Sequence, residues 1–178
     1  MFRNSLYAFI AILFMAVSSP VHASDVLVVD IEKIFANSLS GKSLISQIKK
    51  EGEAIRGSRD KAQKDLEADA KKIEDQKTLL TPEALRAKAD ELKLKEISKN
   101  QEIQQELRKL ENAQATARNE IFAKLSPILS EVMKEKNANA IMEARMALIS
   151  NPDINVTDIV VKRLDAALKS VKLVIPND

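Results

Sequence analysis

Apolar residues run without interruption from Leu6 to Val17, and one basic residue, Arg3, precedes them. The run is shorter than the roughly 20 apolar residues that a helix needs to cross a bilayer. After it, Val21-His22-Ala23 offers small residues at the positions that a signal peptidase reads. We therefore predict a secretory signal peptide, residues 1–23, cleaved between Ala23 and Ser24, rather than an uncleaved membrane anchor.

A second apolar run, Val26-Leu27-Val28-Val29, ends at Asp30 and is short and β-branched, which predicts a buried strand. From Ile31 the pattern is helical, and no proline before Thr81 forces a break. A heptad repeat describes this stretch, but polar residues and a glycine interrupt its apolar seam, which predicts weak pairing in places. Its two core positions hold Ile45, Gly52, Arg59, Leu66, Ile73 and Leu80, and Ile48, Ile55, Ala62, Asp69 and Gln76.

The clearest boundary in the chain is Thr81-Pro82-Glu83, which has the residue types of an N-cap, a first helical position and an acidic first turn. One helix should therefore end near Lys77 and another begin at Pro82. The short connection favours an antiparallel helical hairpin. We call residues 33–126 the arm and place its tip near 78–82; each leg would be roughly 65–70 Å long.

The second leg carries apolar residues at heptad-like spacing, at Leu85, Ala89, Leu92, Ile103, Leu110, Ala113 and Ala117. Four more apolar residues, Ile97, Leu107, Ile121 and Leu125, lie just off that frame. We interpret the offset as drift between periods of 3.5 and 3.6 residues.

After the second leg, Ser126-Pro127 is expected to kink the helix or restart it. Asn137-Ala138-Asn139 should end the helix, and Ala140-Ile141-Met142 and Ala147-Leu148-Ile149 are two short strand candidates. The last helix is predicted from Val156 to about Ser170. A capping box, with Asn155 as N-cap and Asp158 reaching back, would begin it.

The predicted fold is thus mainly α with a small β body, formed by residues 24–32 and 127–178, and the arm is inserted between its strands. Three strands and two helix ends bury too little apolar surface to form a stable body in a single copy. A cyclic oligomer whose strands close on one another would supply the missing burial.

Composition excludes most catalytic chemistry. Without residues 1–23 the chain has no His, Cys, Tyr or Trp, and Phe35 and Phe122 are its only aromatic residues. Nucleophilic triads, histidine acid–base catalysis and His/Cys metal sites cannot be built from this inventory, and the abundant carboxylates alternate with lysines and arginines as on a solvated helix face. We predict no enzyme, no catalytic residue, no metal site and no cofactor.

Charge also disfavours nucleic acid as a partner. Residues 42–126 hold 19 basic and 16 acidic residues, whereas phosphate-driven binding usually needs a concentrated basic face. The small surplus is compatible with capture of acidic partners or weak contact with an anionic membrane surface.

Two glycine-containing segments need separate interpretation. Ala36 to Ser43 nearly matches a phosphate-binding P-loop, but Ala36 replaces the first glycine and no strand directly precedes the segment, so a helix with a chance match is favoured.

Gly52 and Gly57 each cost about 1 kcal/mol relative to alanine inside a helix. We hypothesise a hinge there that lets the arm splay, although ordinary sequence variation is nearly as good an explanation.

The two ends of the chain resemble the Skp/OmpH proteins. The resemblance rests on the leader, Val26 to Asp30, Ile34-Phe35, Ser40-Gly41-Lys42, and Asp153 to Val160 with Lys162-Arg163-Leu164. It implies a periplasmic homotrimer whose strands form a small barrel and whose three arms surround a cavity. It also implies that the protein holds unfolded outer-membrane proteins without ATP, through contacts spread diffusely over the arm with no individual binding residue. The competing interpretation is a passive coiled-coil spacer or adaptor of the cell envelope.

Overall fold

The computed structural model describes residues 26–176. The predicted leader and its cleavage site between Ala23 and Ser24 lie outside this range.

The chain is mainly helical, with one very long pair of helices between two short strands. In order, the elements are β1 (Val26–Val29), α1 (Ile31–Asn37), α2 (Leu39–Asp75), α3 (Pro82–Glu135), β2 (Ala140–Glu143) and α4 (Thr157–Ala167), with single 3₁₀ turns at Ala144–Met146 and Pro152–Ile154. The long helices and the first two predicted strands are therefore present where the sequence places them.

The strands form a two-stranded parallel sheet in which Val26 lies opposite Ala140 and Val29 opposite Glu143. On the other side of β1, the amide of Val156 donates to the carbonyl of Val28 at 2.9 Å. Because β1 lies between these two partners, its inward residues are buried, whereas β2 is an edge strand of the described sheet.

The prediction of a further strand at Ala147-Leu148-Ile149 is wrong for this chain. A 3₁₀ turn ends at Met146, and the side chains of Leu148 and Ile149 are almost fully exposed. A short apolar segment adopts a strand only when its backbone groups pair with a neighbouring strand, and within residues 26–176 this segment does not pair with the β1–β2 sheet.

The expectation of uninterrupted helix from Ile31 is also wrong, because the chain kinks at Ser38. Ser38 is extended (φ −69°, ψ 153°); its amide donates to Ile34 O, and its Oγ accepts from the amide of Gly41. The serine thus caps the end of α1 and the start of α2 at once. No proline is needed for this break, since the cap satisfies backbone groups on both sides.

At the tip of the arm, α3 begins with the N-cap that the sequence predicts. Thr81 is the N-cap of α3, and its Oγ1 accepts from the amide of Ala84 at 3.2 Å. Helix α3 then continues through Pro127 to Glu135, so the predicted alternative of a restart there is wrong, and the kink stays a prediction. The chain leaves the helix at Asn137, which has a positive φ of 50°, a conformation that asparagine adopts more readily than most residues.

The beginning of α4 differs from the predicted capping box. Val156 occupies the N-cap position without a side-chain cap, and Asn155 Oδ1 instead accepts from the amide of Thr157 at 3.0 Å. Thr157 in turn is tied to the sheet, because its Oγ1 accepts from the amide of Asp30 at 2.9 Å. The tertiary bond between α4 and the end of β1 replaces the local box.

The core lies where the base of the long helices meets the two chain ends. One face of α3 is buried from Leu110 to Val132. From Ala117 onward this face forms one core cluster with residues of β1, α1, α2 and α4, among them Leu27, Ile34, Phe35, Leu44, Val160 and Leu164. This stripe recurs every three or four residues, as a helix face must. Farther out, the residues between α2 and α3 are at most half-buried, so the arm projects beyond the core.

Candidate functional site

The outer part of the arm consists of α2 and α3 lying side by side. Lys95 Nζ contacts Asp69 Oδ2 at 2.6 Å, and nearer the body Ser58 of α2 and Glu106 of α3 line one open pocket. Later positions of α2 therefore meet earlier positions of α3. The contacts extend from the base of the arm to the turn before Pro82.

The apolar seam between these helices is shallow. Predicted seam residues Ile48, Ile55, Leu66 and Ile73 are half-buried, while Ile45 is 51% exposed. An open groove of about 430 Å³ follows the helices; its lining includes Ala62, Leu66, Leu92 and Ile103, with Arg59 and Lys99 at its edges. The interruptions seen in the heptad pattern thus leave accessible apolar surface along the arm, as expected for imperfect knobs-into-holes packing.

Asp69, which occupies an apolar seam position, is held by two lysines. Its carboxylate contacts Lys95 across the groove at 2.6 Å and Lys72 on the same helix at 3.1 Å. The hydrogen bond from Lys95, then that from Lys72, lowers the pKa of Asp69 below its ordinary value, and the bond to Asp69 raises the pKa of Lys95. Because the pair joins one position on each helix, it favours one register of α2 against α3.

We expect this pair to make the outer arm sensitive to acid. A carboxylate whose pKa is lowered by folding contributes stability above its unfolded pKa of about 3.8 and loses it as pH falls through the lower folded value. The loss of helical stability between pH 5 and pH 3, followed by circular dichroism, should be smaller in Asp69→Asn than in the wild type. Asp90→Asn, which removes an exposed carboxylate from the same part of the arm, should keep the wild-type loss; equal slopes in all three proteins would contradict the assignment.

A second accessible surface lies on the outer side of α3. Leu94 is 68% exposed, and Ile97 and Leu107 are also exposed. Between them, Ile97, Gln101, Gln104 and Arg108 border a shallow, mainly apolar depression. The sequence placed Ile97 and Leu107 only slightly off the seam, but the structure turns both toward solvent. Ile121 and Leu125, which lie off the same frame, are instead fully buried near the body.

The P-loop-like segment has a structural role. It spans the end of α1, the kink and the first turn of α2. The amides at the kink already have partners, because that of Ser38 donates to Ile34 O, that of Gly41 to Ser38 Oγ, and that of Leu39 to Asp165 Oδ1 of α4 at 2.6 Å. A phosphate cradle requires free amides that converge on the ligand, so this segment cannot provide one.

The two aromatic residues after the predicted leader meet at the base of the arm. The rings of Phe35 and Phe122 lie 5.3 Å apart between centroids, and the guanidinium of Arg118 lies 4.7 Å from the Phe35 centroid. Such pairs add about 1 kcal/mol each beyond simple burial. Sequence reasoning named both phenylalanines but did not pair them, because residues so far apart in sequence share no local pattern.

No group of three or more His, Cys, Asp or Glu side chains within residues 26–176 could hold a metal ion. No helix in the same range is both long and apolar enough to cross a membrane. Gly52 and Gly57 lie inside continuous α2, with open space where their side chains would be, and the hinge hypothesis stays a prediction.

Comparison with known families decides the relationship. The model of a family described as outer membrane protein (OmpH-like) matches residues 25–164. The chain belongs to the OmpH-like family. The match includes both strands and both long helices and ends inside α4.

A solved OmpH-like structure has the same architecture. The crystal structure of an OmpH-like protein from Caulobacter crescentus CB15, proposed to be an outer membrane chaperone, superposes with a TM-score of 0.76 at 21% sequence identity. The alignment covers 84% of this chain and 89% of the Caulobacter chain. No curated protein sequence matches this chain. At this identity the likeness shows a shared OmpH-like fold.

Proposed function

We propose that this OmpH-like chain is an exported holding chaperone that binds unfolded outer-membrane proteins in the periplasm without ATP. The observation that carries the proposal is the arm itself, a pair of long helices with an open, half-buried seam and isolated exposed apolar residues. Membership in the family and the chaperone role proposed for the Caulobacter protein support it.

The chemistry of the arm suits weak contact at many points. Apolar residues such as Leu66, Leu92, Leu94 and Ile97 are separated along the helices by lysines and glutamates. Burying one such side chain contributes about 1.5–3 kcal/mol at most, so a client held at several of them is bound without any one site being strong. An unfolded chain can then exchange one contact for another, and a better partner can take the client without an energy source.

Assembly is the second part of the proposal. A single two-stranded sheet is marginally stable in water, and β2 is an edge of the described sheet. Next to it, Met146, Leu148 and Ile149 present apolar side chains that one copy leaves exposed. These features support a homotrimer in which the chain ends form a joint barrel and three antiparallel hairpin arms surround a cavity.

We expect stoichiometric amounts of the protein to keep a urea-denatured outer-membrane β-barrel protein soluble on dilution, measured as light scattering. Replacing Leu94, Ile97 and Leu107 together with serine should weaken this protection several-fold, because it removes exposed apolar contacts without touching the core. Complete loss is not expected, since the seam groove would still bind.

A matched variant separates this effect from general changes to α3. Gln105→Ser, Asn112→Ser and Asn119→Ser together alter three exposed amides on the same helix, none of which lines the seam groove or the outer depression, and should leave protection unchanged. No suppression of scattering by the wild type would support the alternative function of a passive envelope spacer.

A further inference from the structure

The chain does not end with α4. The next residues, Leu168 to Pro176, form an extended segment that we call the strap, and it lies beyond residues 25–164 that match the OmpH-like family model. Its side chains alternate: Val171 is buried and Leu173 and Ile175 are half-buried, whereas Lys172 and Val174 are exposed. A period of two is that of an extended chain with one face packed against the protein.

Gln47 of α2 binds the strap as a neighbouring strand would. Its Nε2 donates to the carbonyl of Val171 at 2.8 Å, and its Oε1 accepts from the amide of Leu173 at 3.0 Å. One side-chain amide thus satisfies both a donor and an acceptor of the strap backbone. Gln47 is itself oriented by Ser43, whose carbonyl and hydroxyl oxygens each lie 3.2 Å from Nε2.

The end of the strap reaches both helices of the arm. Ile175 and Pro176 line an open cavity of about 390 Å³ together with Ala54 and Ile55 of α2 and Glu106 of α3. The strap therefore begins at the core, where Val171 and Leu173 pack, and ends about two turns farther out along α2. Gly52, the weakest helix former of this stretch, lies between its two points of attachment.

We infer that the strap is a splint that holds the base of the arm straight against the body across Gly52. In this stretch the seam residues are only half-buried, so the helix pair alone supplies little resistance to opening. The strap adds two hydrogen bonds and the packing of Leu173 and Ile175 on the side of α2. Bending is then directed to the outer arm. This regulation of arm geometry rests on the proposed holding function, but the splint itself does not.

Hydrogen exchange in the purified exported protein tests the inference. Two variants weaken the strap without removing Val171 from the core: Gln47→Ala, and a chain shortened to end at Leu173. In both, we expect the amides of residues 47–58 to exchange at least about fivefold faster, while residues 85–100 in the outer arm are unchanged. Val174→Ala changes an exposed strap side chain and should exchange like the wild type.

A second substitution distinguishes a splint from simple packing loss. Gly52→Ala has open space for its methyl group and raises helix propensity, so in the shortened chain it should slow exchange of residues 47–58 by about fivefold. Unchanged exchange in both strap variants, or a faster exchange that spreads uniformly over the arm, overturns the splint.

The aggregation assay with an outer-membrane protein tests the holding function independently of the hydrogen-exchange result. If the strap variants behave as expected but the wild type does not suppress aggregation, the splint stands and the holding function falls. If the wild type suppresses aggregation and the strap variants exchange normally, the holding function stands and the splint falls.

Discussion

Replacing Gly41 with alanine should destabilise the protein by about 3 kcal/mol, the top of the usual range for overpacking. A methyl group at this position would lie 1.9 Å from the carbonyl oxygen of Phe35 and 2.7 Å from its carbonyl carbon. These are backbone atoms of α1, so no side-chain rotation can relieve the clash. Accommodation requires α1 to move away from α2, which would disturb the packing of Ile34 and Phe35 in the core.

The urea midpoint followed by circular dichroism measures this effect, and Gly52→Ala is a matched control. Both variants make the same chemical change inside α2, but Gly52 has nothing within 4 Å of the added carbon. Gly52→Ala should therefore raise stability by up to about 1 kcal/mol, through helix propensity alone. A Gly41→Ala protein with a wild-type midpoint would show that α1 and α2 do not approach as closely as described.

The contrast between these glycines marks the limit of prediction from sequence. Gly41 and Gly52 interrupt the helical pattern in the same way. From the sequence we predicted a hinge at Gly52 and Gly57, whereas Gly41 was noted only as part of the P-loop-like segment and of the family resemblance. Gly41 is required by the kink at Ser38, which folds α2 back so that Gly41 lies against the backbone of Phe35, six residues earlier. That kink is further tied by a bond from Leu39 to Asp165, 126 residues away.

The sequence was sufficient to predict a helix boundary where the capping bond is made by a neighbouring residue in the chain. The sequence located the start of α3 at Pro82 because Thr81 bonds a backbone amide three residues on, and it located the end of α2 within two residues. It failed at Asn155, where the competing bond from Asp30 to Thr157 comes from the other end of the chain.

The candidate binding surface was predictable as a region but not by residue. The broken heptad pattern predicted a weak seam, and the structure has an open groove there. Which apolar residues turn outward could not be derived, because Ile97 and Ile121 occupy similarly offset positions. Near the body α3 packs against α1 and α4 as well as α2, so its apolar face is wider and includes Ile121; at Ile97 only α2 is adjacent.

The failed strand at Ala147 to Ile149 leads to the second large expected effect. Replacing Leu148 and Ile149 together with aspartate should convert the proposed trimer into monomers, measured as mass in solution by light scattering coupled to size exclusion. Leu148 and Ile149 are 103% and 96% exposed in one copy. Each would contribute about 1.5–3 kcal/mol if buried between subunits, and an uncompensated carboxylate there would be costly.

The expected dissociation depends on where the charge is placed, so equally apolar exposed residues elsewhere are the control. Leu79→Asp at the arm tip, where the side chain is 83% exposed, and Leu94→Asp on α3 add the same charge far from β2. Both should keep the wild-type mass, and the double aspartate variant should keep a wild-type helical content, since neither of its residues lies in the core of one copy. If Leu79→Asp dissociates the assembly instead, the tips rather than the edge of β2 hold the copies together. If the wild type is itself a monomer, the three-armed cavity cannot form, and clients would have only the groove and outer face of a single arm to bind.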